Sequence, residues 1–158
     1  VFYTDGDAQY DVLELEKLYE HIDDYDVVNG YKMNRADGIH RKIIGEVYNL
    51  GMHLAFNLKV KDVDCDFRLM HRNKIFNKVE LEADTGMICV EMMKKIEDSG
   101  ATLKNVPVNH YDRTHGSSQF LNVKRVAKTL AGLSGLWINL VLLRKQKKKN
   151  VQQQPVQE

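Results

Sequence analysis

The chain begins with Val1-Phe2-Tyr3-Thr4-Asp5-Gly6-Asp7-Ala8-Gln9, in which an apolar run is followed at once by two acidic residues. The apolar run predicts a buried strand, and side chains two positions apart in extended backbone leave the same face. Asp5 and Asp7 are therefore expected to converge on one ion, with Gly6 between them allowing a ligand close to the backbone. Carboxylates that leave positions for water and phosphate suit Mg²⁺ or Mn²⁺. The alternative is a plain acidic turn between a strand and a helix, which is the commoner outcome for so short a motif.

Strands and helices are predicted to alternate after this turn. Predicted strands cover residues 26–31, 67–70 and 102–108, and predicted helices begin near residues 12, 43 and 85 and follow Ser118. Asp11 and Glu14 have the spacing of a capping box for the first of these helices. Pro107 predicts an edge position or a strand end for the last strand. The alternation indicates an α/β protein whose mostly parallel sheet is flanked by helices, with ligands at the carboxyl ends of the strands.

The second helix is predicted to be amphipathic, because its apolar residues recur at helical spacing. They are Ile43, Ile44, Val47, Leu50, Leu54 and Leu58. A later set, Leu130, Leu133, Leu136, Trp137, Leu140 and Leu143, precedes the basic run 144–149. That pattern fits a helix in a membrane interface and equally a helix packed on the domain or on a partner. The apolar run is too short to span a bilayer.

Four ordered motifs cover most of the chain up to the helix after Ser118. They are Asp5-Gly6-Asp7-Ala8-Gln9-Tyr10-Asp11, Gly30-Tyr31-Lys32 with Arg35, Asp62-Val63-Asp64-Cys65-Asp66-Phe67-Arg68, and Val106-Pro107-Val108-Asn109-His110-Tyr111-Asp112-Arg113-Thr114-His115-Gly116-Ser117-Ser118. In this order they resemble glycosyltransferase family 2, in particular its dolichol-phosphate mannosyltransferase-like and undecaprenyl-phosphate glycosyltransferase branch. The resemblance implies a nucleotide-diphospho-sugar transferase fold, called GT-A. It also implies transfer of a sugar from a nucleotide-diphosphate donor to a polyprenyl phosphate.

The chain departs from the family pattern in two ways. In the family, strands and helices that hold the nucleotide precede the acidic motif, so this sequence is expected to be the C-terminal part of a longer enzyme. Where the family has Ser-Gly before Phe-Arg, this chain has Cys65-Asp66. The expected organisation is a partial GT-A catalytic domain over 1–128, an amphipathic helix with a basic juxtamembrane segment over 129–149, and a disordered tail over 150–158.

Catalytic roles are expected for Asp5, Asp7, Arg113, Asp62 and Glu91. Arg113 is chosen because a guanidinium grips phosphate through two hydrogen bonds. The resemblance implies that Asp62 orients the acceptor site or an arginine, and that Glu91 is a weak base or an orienting group. On pattern alone, Glu91 is a polar residue of an amphipathic helix.

Substrate contacts are expected for Gln9, Lys32, Arg35, Arg68, Ser117 and Ser118. The resemblance implies that Gln9 is a secondary metal ligand or positions a water, the alternative being a solvent-facing turn residue. It also implies phosphate contact for Arg35. A solvated charge is the favoured alternative for Lys32. Arg68 contacts substrate or pairs with Asp62 or Asp66.

The composition is that of one globular domain, with 158 residues, 43% hydrophobic and 28% charged. The net charge of +1 hides an asymmetry, because residues 1–26 hold nine acids against Lys17 and ten bases follow from Lys104 onward. The acidic end suits a cation, and the basic end suits phosphate or an anionic surface. The spacing of Cys65 and Cys89 favours buried, reduced thiols and a cytosol-facing protein.

The sequence thus predicts a metal-dependent glycosyltransferase, cytoplasmic and peripheral on the membrane, that uses a nucleotide-diphospho-sugar and a polyprenyl phosphate. A saccharide hydroxyl acceptor in cell-envelope polysaccharide synthesis is the variant, and it would need a true general base. The rival is a non-catalytic module that docks on anionic membranes or a partner. Nucleic acid is not expected as a partner because the basic tail lacks interleaved aromatics, and a homo-oligomer is left open.

Overall fold

The computed structural model of the protein describes residues 1–33, 39–83, 87–112 and 123–143. The strands are β1 (Phe2–Thr4), β2 (Val27–Met33), β3 (Phe67–Met70) and β4 (Leu103–Asn109). The α-helices are α1 (Leu15–Tyr19), α2 (Ile39–Phe56), α3 (Ile88–Asp98) and α4 (Val123–Trp137), which continues as a π-helix over Ile138–Leu143. Short 3-10 turns cover Val12–Glu14 and Phe76–Lys78. The predicted strand at 67–70 has the same first and last residues as β3. The other predicted strands differ from the observed ones by one or two residues at their ends.

The four strands form one mixed sheet in the order β1-β3-β2-β4. β2 and β4 pair in parallel, whereas β3 is antiparallel to both of its neighbours. The predicted α/β class and the edge position of β4 are confirmed, but the prediction of a mostly parallel sheet is wrong, because two of the three described strand pairs are antiparallel. The reversal of β3 has a local cause in residues 57–66, which return along α2. Asn49 holds this returning segment by accepting from the Val63 N–H at 3.1 Å and donating to the Lys61 carbonyl at 2.9 Å.

Helices cover both faces of the sheet. Neighbouring residues of a strand point to opposite faces, so Val27 packs in the core beneath α2, α3 and α4, whereas Val28 packs beneath α1. The larger core contains Phe56, Met70, Val90, Met93 and Ile96 among others. The smaller contains Leu18, Cys65, Phe67, Val106 and Val108.

The start of the first helix shows only half of the predicted capping box. Asp11 is the N-cap residue and accepts a hydrogen bond from the Leu13 N–H at 2.9 Å. Glu14 does not reach back to Asp11, because its buried carboxylate accepts from the backbone N–H of Asn109 at 2.9 Å. Glu14 therefore ties α1 to the end of β4.

Helix α2 forms, but it begins before Ile43 and ends at Phe56, so Leu58 of the predicted set lies beyond it, and most of the other apolar residues that predicted it face outwards. Val47, Leu50 and Leu54 are 65%, 60% and 77% exposed. The face towards the core is instead made by Tyr48, Met52 and Phe56. None of these three residues was among the apolar residues from which the helix was predicted.

Helix α4 packs on the domain at its C-terminal half. Leu133 is buried in the larger core, and the Trp137 indole N–H donates to the Ala55 carbonyl at 2.7 Å. The predicted boundary at residue 129 therefore falls inside a helix that contributes to the core, while residues 150–158 lie outside the described part. Among the described helices, none combines the length and apolar character needed to cross a bilayer.

Candidate functional site

Two acidic residues face each other across the first strand pair. Thr4 of β1 is paired with Phe67 of β3, so Asp5 directly after β1 lies beside Asp66 directly before β3. The two carboxyls share a hydrogen bond, and Asp7 and Asp64 lie close enough to act on Asp5 electrostatically. Partial burial and these three carboxylates raise the pKa of Asp5 to about 6. The arrangement concentrates negative charge at the carboxyl end of β1.

Asp66 contacts two buried side chains, those of Cys89 on α3 and Arg68 on β3. The Cys89 thiol donates to its Oδ1 at 2.9 Å, and the Arg68 guanidinium lies 3.7 Å from the same oxygen. Burial raises the pKa of Cys89 to about 12, so this thiol keeps its proton and serves as a donor. These contacts fix which way the Asp66 carboxylate faces.

Arg68 is completely buried. Its Nε donates to the Asn29 side-chain oxygen at 2.7 Å, and one Nη donates to the Val63 carbonyl at 2.6 Å. Asp62 and Asp66 were the two acids expected to pair with Arg68, and the structure pairs it with Asp66. In this arrangement Arg68 acts on the site through Asp66 and is not open to a substrate.

The acidic turn is tied to the end of β4 by Gln9. Asp7 accepts a hydrogen bond from the Gln9 backbone N–H at 3.2 Å, and Ala8 between them has a left-handed backbone with φ 58. The Gln9 side-chain amide donates to the Tyr111 carbonyl at 3.0 Å, and the Tyr111 N–H donates to the Gln9 carbonyl at 2.9 Å. Gln9 is 7% exposed, so the solvent-facing alternative is wrong. The acidic turn is thus bonded to Tyr111, which precedes Arg113 by two positions in the sequence.

Lys32 and Asp62 join the end of β2 to the segment before β3. The Lys32 ammonium lies 3.5 Å from the Asp64 carboxylate, and only 6% of its side chain is exposed. The solvated charge expected for Lys32 is therefore wrong. The Asp62 carboxylate accepts from the backbone N–H of Asp64 at 3.1 Å and of Lys32 at 3.3 Å. Both residues shape the segment that carries Asp64 and Asp66.

Glu91 on α3 is buried and engaged by several donors. Its carboxylate accepts from the backbone N–H groups of Glu82 at 3.1 Å and Ala83 at 2.8 Å, and from Lys95 at 2.7 Å. Burial opposes ionisation, but the bonds from Lys95, Ala83 and Glu82 outweigh it and lower the pKa of Glu91. The structure therefore uses Glu91 to fasten the segment before α3.

Arg35, Arg113, Ser117 and Ser118 lie outside the described residues. Of the predicted site residues that are described, Asp5, Asp7 and Gln9 are brought together in one turn. Lys32, Asp62 and Arg68 support the neighbouring segment. The Glu91 carboxylate accepts hydrogen bonds from Glu82, Ala83 and Lys95.

Sequence reasoning missed Asp64, Asp66 and Cys89 as parts of this site. A signal was present for two of them, because Asp64, Asp66 and Arg68 alternate immediately before and within a predicted strand. Side chains at this spacing share one face in extended backbone. Cys89 carried no comparable signal, since its contact with Asp66 bridges 23 positions of the chain.

The donor set suits a hard divalent ion. Mg²⁺ is commonly held by one or two carboxylates together with water and substrate phosphates, and Asp5 with Asp7 supplies two such oxygen donors. The mutual repulsion that raises the pKa of Asp5 is of the kind that a cation relieves. Within the described ranges, no group of three or more histidine, cysteine, aspartate or glutamate side chains is arranged to hold a metal by itself.

Both cysteines are buried, as predicted.

Comparison of the sequence with known proteins adds no assignment to these observations. No protein-family model matches the chain, and no curated protein matches it.

Proposed function

We propose that this protein is a metal-dependent glycosyltransferase with a GT-A catalytic domain, moving a sugar from a nucleotide-diphosphate donor to a polyprenyl phosphate. The observation that carries the proposal is the pairing of Asp5 with Asp66 where β1 ends and β3 begins, with Asp7 and Asp64 near enough to act on Asp5 electrostatically. The reaction class is supported by the resemblance of the four ordered motifs to glycosyltransferase family 2.

In this proposal Asp5 and Asp7 would hold Mg²⁺ or Mn²⁺, and a bound ion would supply positive charge to offset the negative charge of the leaving nucleoside diphosphate. Asp66, oriented by Cys89 and Arg68, keeps Asp5 in place, and Gln9 fixes the turn against the end of β4. We expect Arg113, together with Ser117 and Ser118, to bind phosphate, as the resemblance implies.

A phosphate acceptor is favoured over a saccharide hydroxyl. A phosphate monoester has its second pKa at about 6 and is already ionised near neutral pH, so it needs no strong base. A hydroxyl acceptor would need one. The two carboxylates named for that role are otherwise occupied, since Glu91 accepts from Lys95 and Ala83 and Asp62 accepts from two backbone N–H groups. We place the enzyme on the cytoplasmic face of the membrane because its acceptor is a lipid.

The test is transfer of labelled sugar from a panel of UDP- and GDP-sugars to a polyprenyl phosphate by the full-length protein. We expect turnover that requires Mg²⁺ or Mn²⁺ and is lost in Asp7→Asn. Asp24→Asn is the matched control, because Asp24 is an exposed acid outside the site, and it should retain full activity. A folded protein that transfers no sugar from any donor would contradict the proposal.

A further inference from the structure

The His53 ring lies between two backbone carbonyl groups. Its Nδ1 is 2.6 Å from the carbonyl oxygen of Asn49, one turn earlier in α2. Its Nε2 is bonded to the carbonyl oxygen of Val60, in the segment 57–66 that returns along α2. A carbonyl oxygen only accepts hydrogen bonds, so each contact needs a proton on the ring nitrogen. The two contacts together therefore require a ring that carries both protons, which is the positively charged imidazolium.

A neutral imidazole cannot keep both contacts in this position. It has a single N–H, and its other nitrogen would turn a lone pair towards a carbonyl oxygen. Val60 is completely buried, and a buried carbonyl that loses its donor costs free energy. Loss of one proton therefore either removes the donor from the Val60 carbonyl or sets the ring against the Asn49 carbonyl and displaces it.

The end of α2 favours the charged form of the ring. His53 lies in the last turn of the helix, where carbonyls without a helical partner carry a partial negative charge that attracts a cation. Asn57 directly follows the helix and has a left-handed backbone with φ 52. This conformation commonly ends a helix, and here it turns the chain so that Val60 comes back to His53.

Charged side chains near the ring come from the returning segment and from α3. They are Lys59, Lys61, Asp62 and Glu97. The Glu97 carboxylate accepts from the Val60 N–H at 2.9 Å and so places a negative charge beside the residue that binds the ring. Both lysines are exposed, which lets solvent screen their charge. Residues 49–57 of α2 and its end hold no ionisable side chain besides His53, and α4 faces this end with the neutral Trp137.

We infer that His53 is a proton-dependent clamp between α2 and the segment 57–66. The protonated ring joins the two through both of its nitrogens, and the neutral ring gives up one of the two bonds. Histidine changes its charge between about pH 5 and 8, so the clamp is complete at the acidic end of this range and weakens as the pH rises. The same segment carries Asp64 and Asp66 towards Asp5, so the clamp governs how firmly these acids are held. This inference does not depend on the proposed function.

The test is urea unfolding of the wild type and of His53→Gln at about pH 5.5 and about pH 8.5, on either side of the histidine range. Glutamine donates from one end only and cannot bridge both carbonyls. We expect His53→Gln to raise the unfolding equilibrium constant by about tenfold more at the lower pH, because a hydrogen bond from a charged donor is lost there. The contribution of Asp5 is common to both proteins and cancels in the comparison.

His71→Gln is the matched control. The His71 ring meets a single carbonyl, that of Ile22 at 2.8 Å, and a neutral ring can serve one acceptor. The effect of His71→Gln should therefore be alike at the two pH values. An effect of His53→Gln that is also alike at the two pH values would overturn the inference.

Nitrogen NMR of the His53 ring in the wild type tests the clamp without any variant. At about pH 5.5 both ring nitrogens should carry slowly exchanging protons, and at about pH 8.5 only one should. Backbone amides of residues 59–63 should exchange faster at the higher pH than the intrinsic pH dependence of exchange explains. A ring with a single N–H at the lower pH would overturn the inference, whether or not His53→Gln folds.

Discussion

The ionisation of Asp5 depends strongly on its neighbours. Its carboxyl faces Asp66 and lies near Asp7 and Asp64, and its pKa of about 6 lies well above the ordinary 3.8. A group whose pKa is higher in the folded than in the unfolded state favours the protonated folded protein. Its stabilising contribution is therefore complete below about pH 4 and is lost as the pH rises through about 6.

The titration of the Asp5 carboxyl can be followed directly by carbon-detected NMR in metal-free protein. We expect a midpoint near pH 6 in the wild type. In Asp66→Asn the midpoint should move down towards the ordinary value, because a neighbouring charge and a shared hydrogen bond are removed. Glu20→Gln, at an exposed position of the same acidic segment, is the control and should leave the midpoint in place. An unchanged midpoint in Asp66→Asn would refute the pairing of Asp5 with Asp66.

Arg68 is the buried cation on which this corner of the fold depends. Arg68→Met should destabilise the protein by about 3–5 kcal/mol, because removing one partner of a buried ion pair leaves the other uncompensated. The exposed Arg72 provides the matched control, and Arg72→Met should change stability by no more than about 0.5 kcal/mol. Urea unfolding measures both. Equal losses in the two variants would show that Arg68 and Asp66 do not form a stabilising pair.

At the scale of elements, the join between β2 and β3 depends on Gly30. A Cβ at this position would lie 2.9 Å from the Phe67 carbonyl oxygen and 3.0 Å from a Val108 methyl. Gly30→Ala should therefore cost about 1–3 kcal/mol through overpacking. Gly51→Ala in α2 has open space around the added methyl and should stabilise by roughly 1 kcal/mol, because alanine favours helix. Opposite signs in urea unfolding are expected, and a neutral Gly30→Ala would contradict the close packing.

Local sequence signals predicted the elements well but not their arrangement. Pro107 correctly marked an edge strand, because proline lacks the N–H that an inner strand needs. The direction of β3 was not predictable in this way, since it depends on Asn49 holding a segment that runs back along α2. The faces of α2 were also misjudged, because apolar periodicity does not reveal that Tyr48 and Met52 supply the buried side.

The candidate site shows the same limit. Asp5 and Asp7 were found because their motif is local and follows an apolar strand. Asp66 was missed because its contact with Asp5 arises from strand pairing, and that pairing joins positions about sixty residues apart. The role of Glu91 likewise depends on where residues 82 and 83 pass α3, which no spacing in the sequence records.

At the scale of the whole molecule, the acidic N-terminal segment and the larger core lie on different faces of the sheet. The acidic turn lies where β1 ends, α1 with its acids covers one side of the sheet, and α2 with α4 covers the other. In the proposed transfer, the cation and the diphosphate would bind at the acidic turn.

The central claim is that Asp5 and Asp7 bind a divalent cation, and Mn²⁺ binding followed by electron paramagnetic resonance tests it without relying on turnover. The full-length protein would be titrated with and without UDP or GDP, alongside Asp7→Asn and Asp24→Asn. We expect the wild type and Asp24→Asn to bind Mn²⁺ alike, more tightly with the diphosphate present, and Asp7→Asn to bind about tenfold or more weakly. Equal binding by Asp7→Asn and Asp24→Asn, or no binding by the folded wild type, would contradict the account.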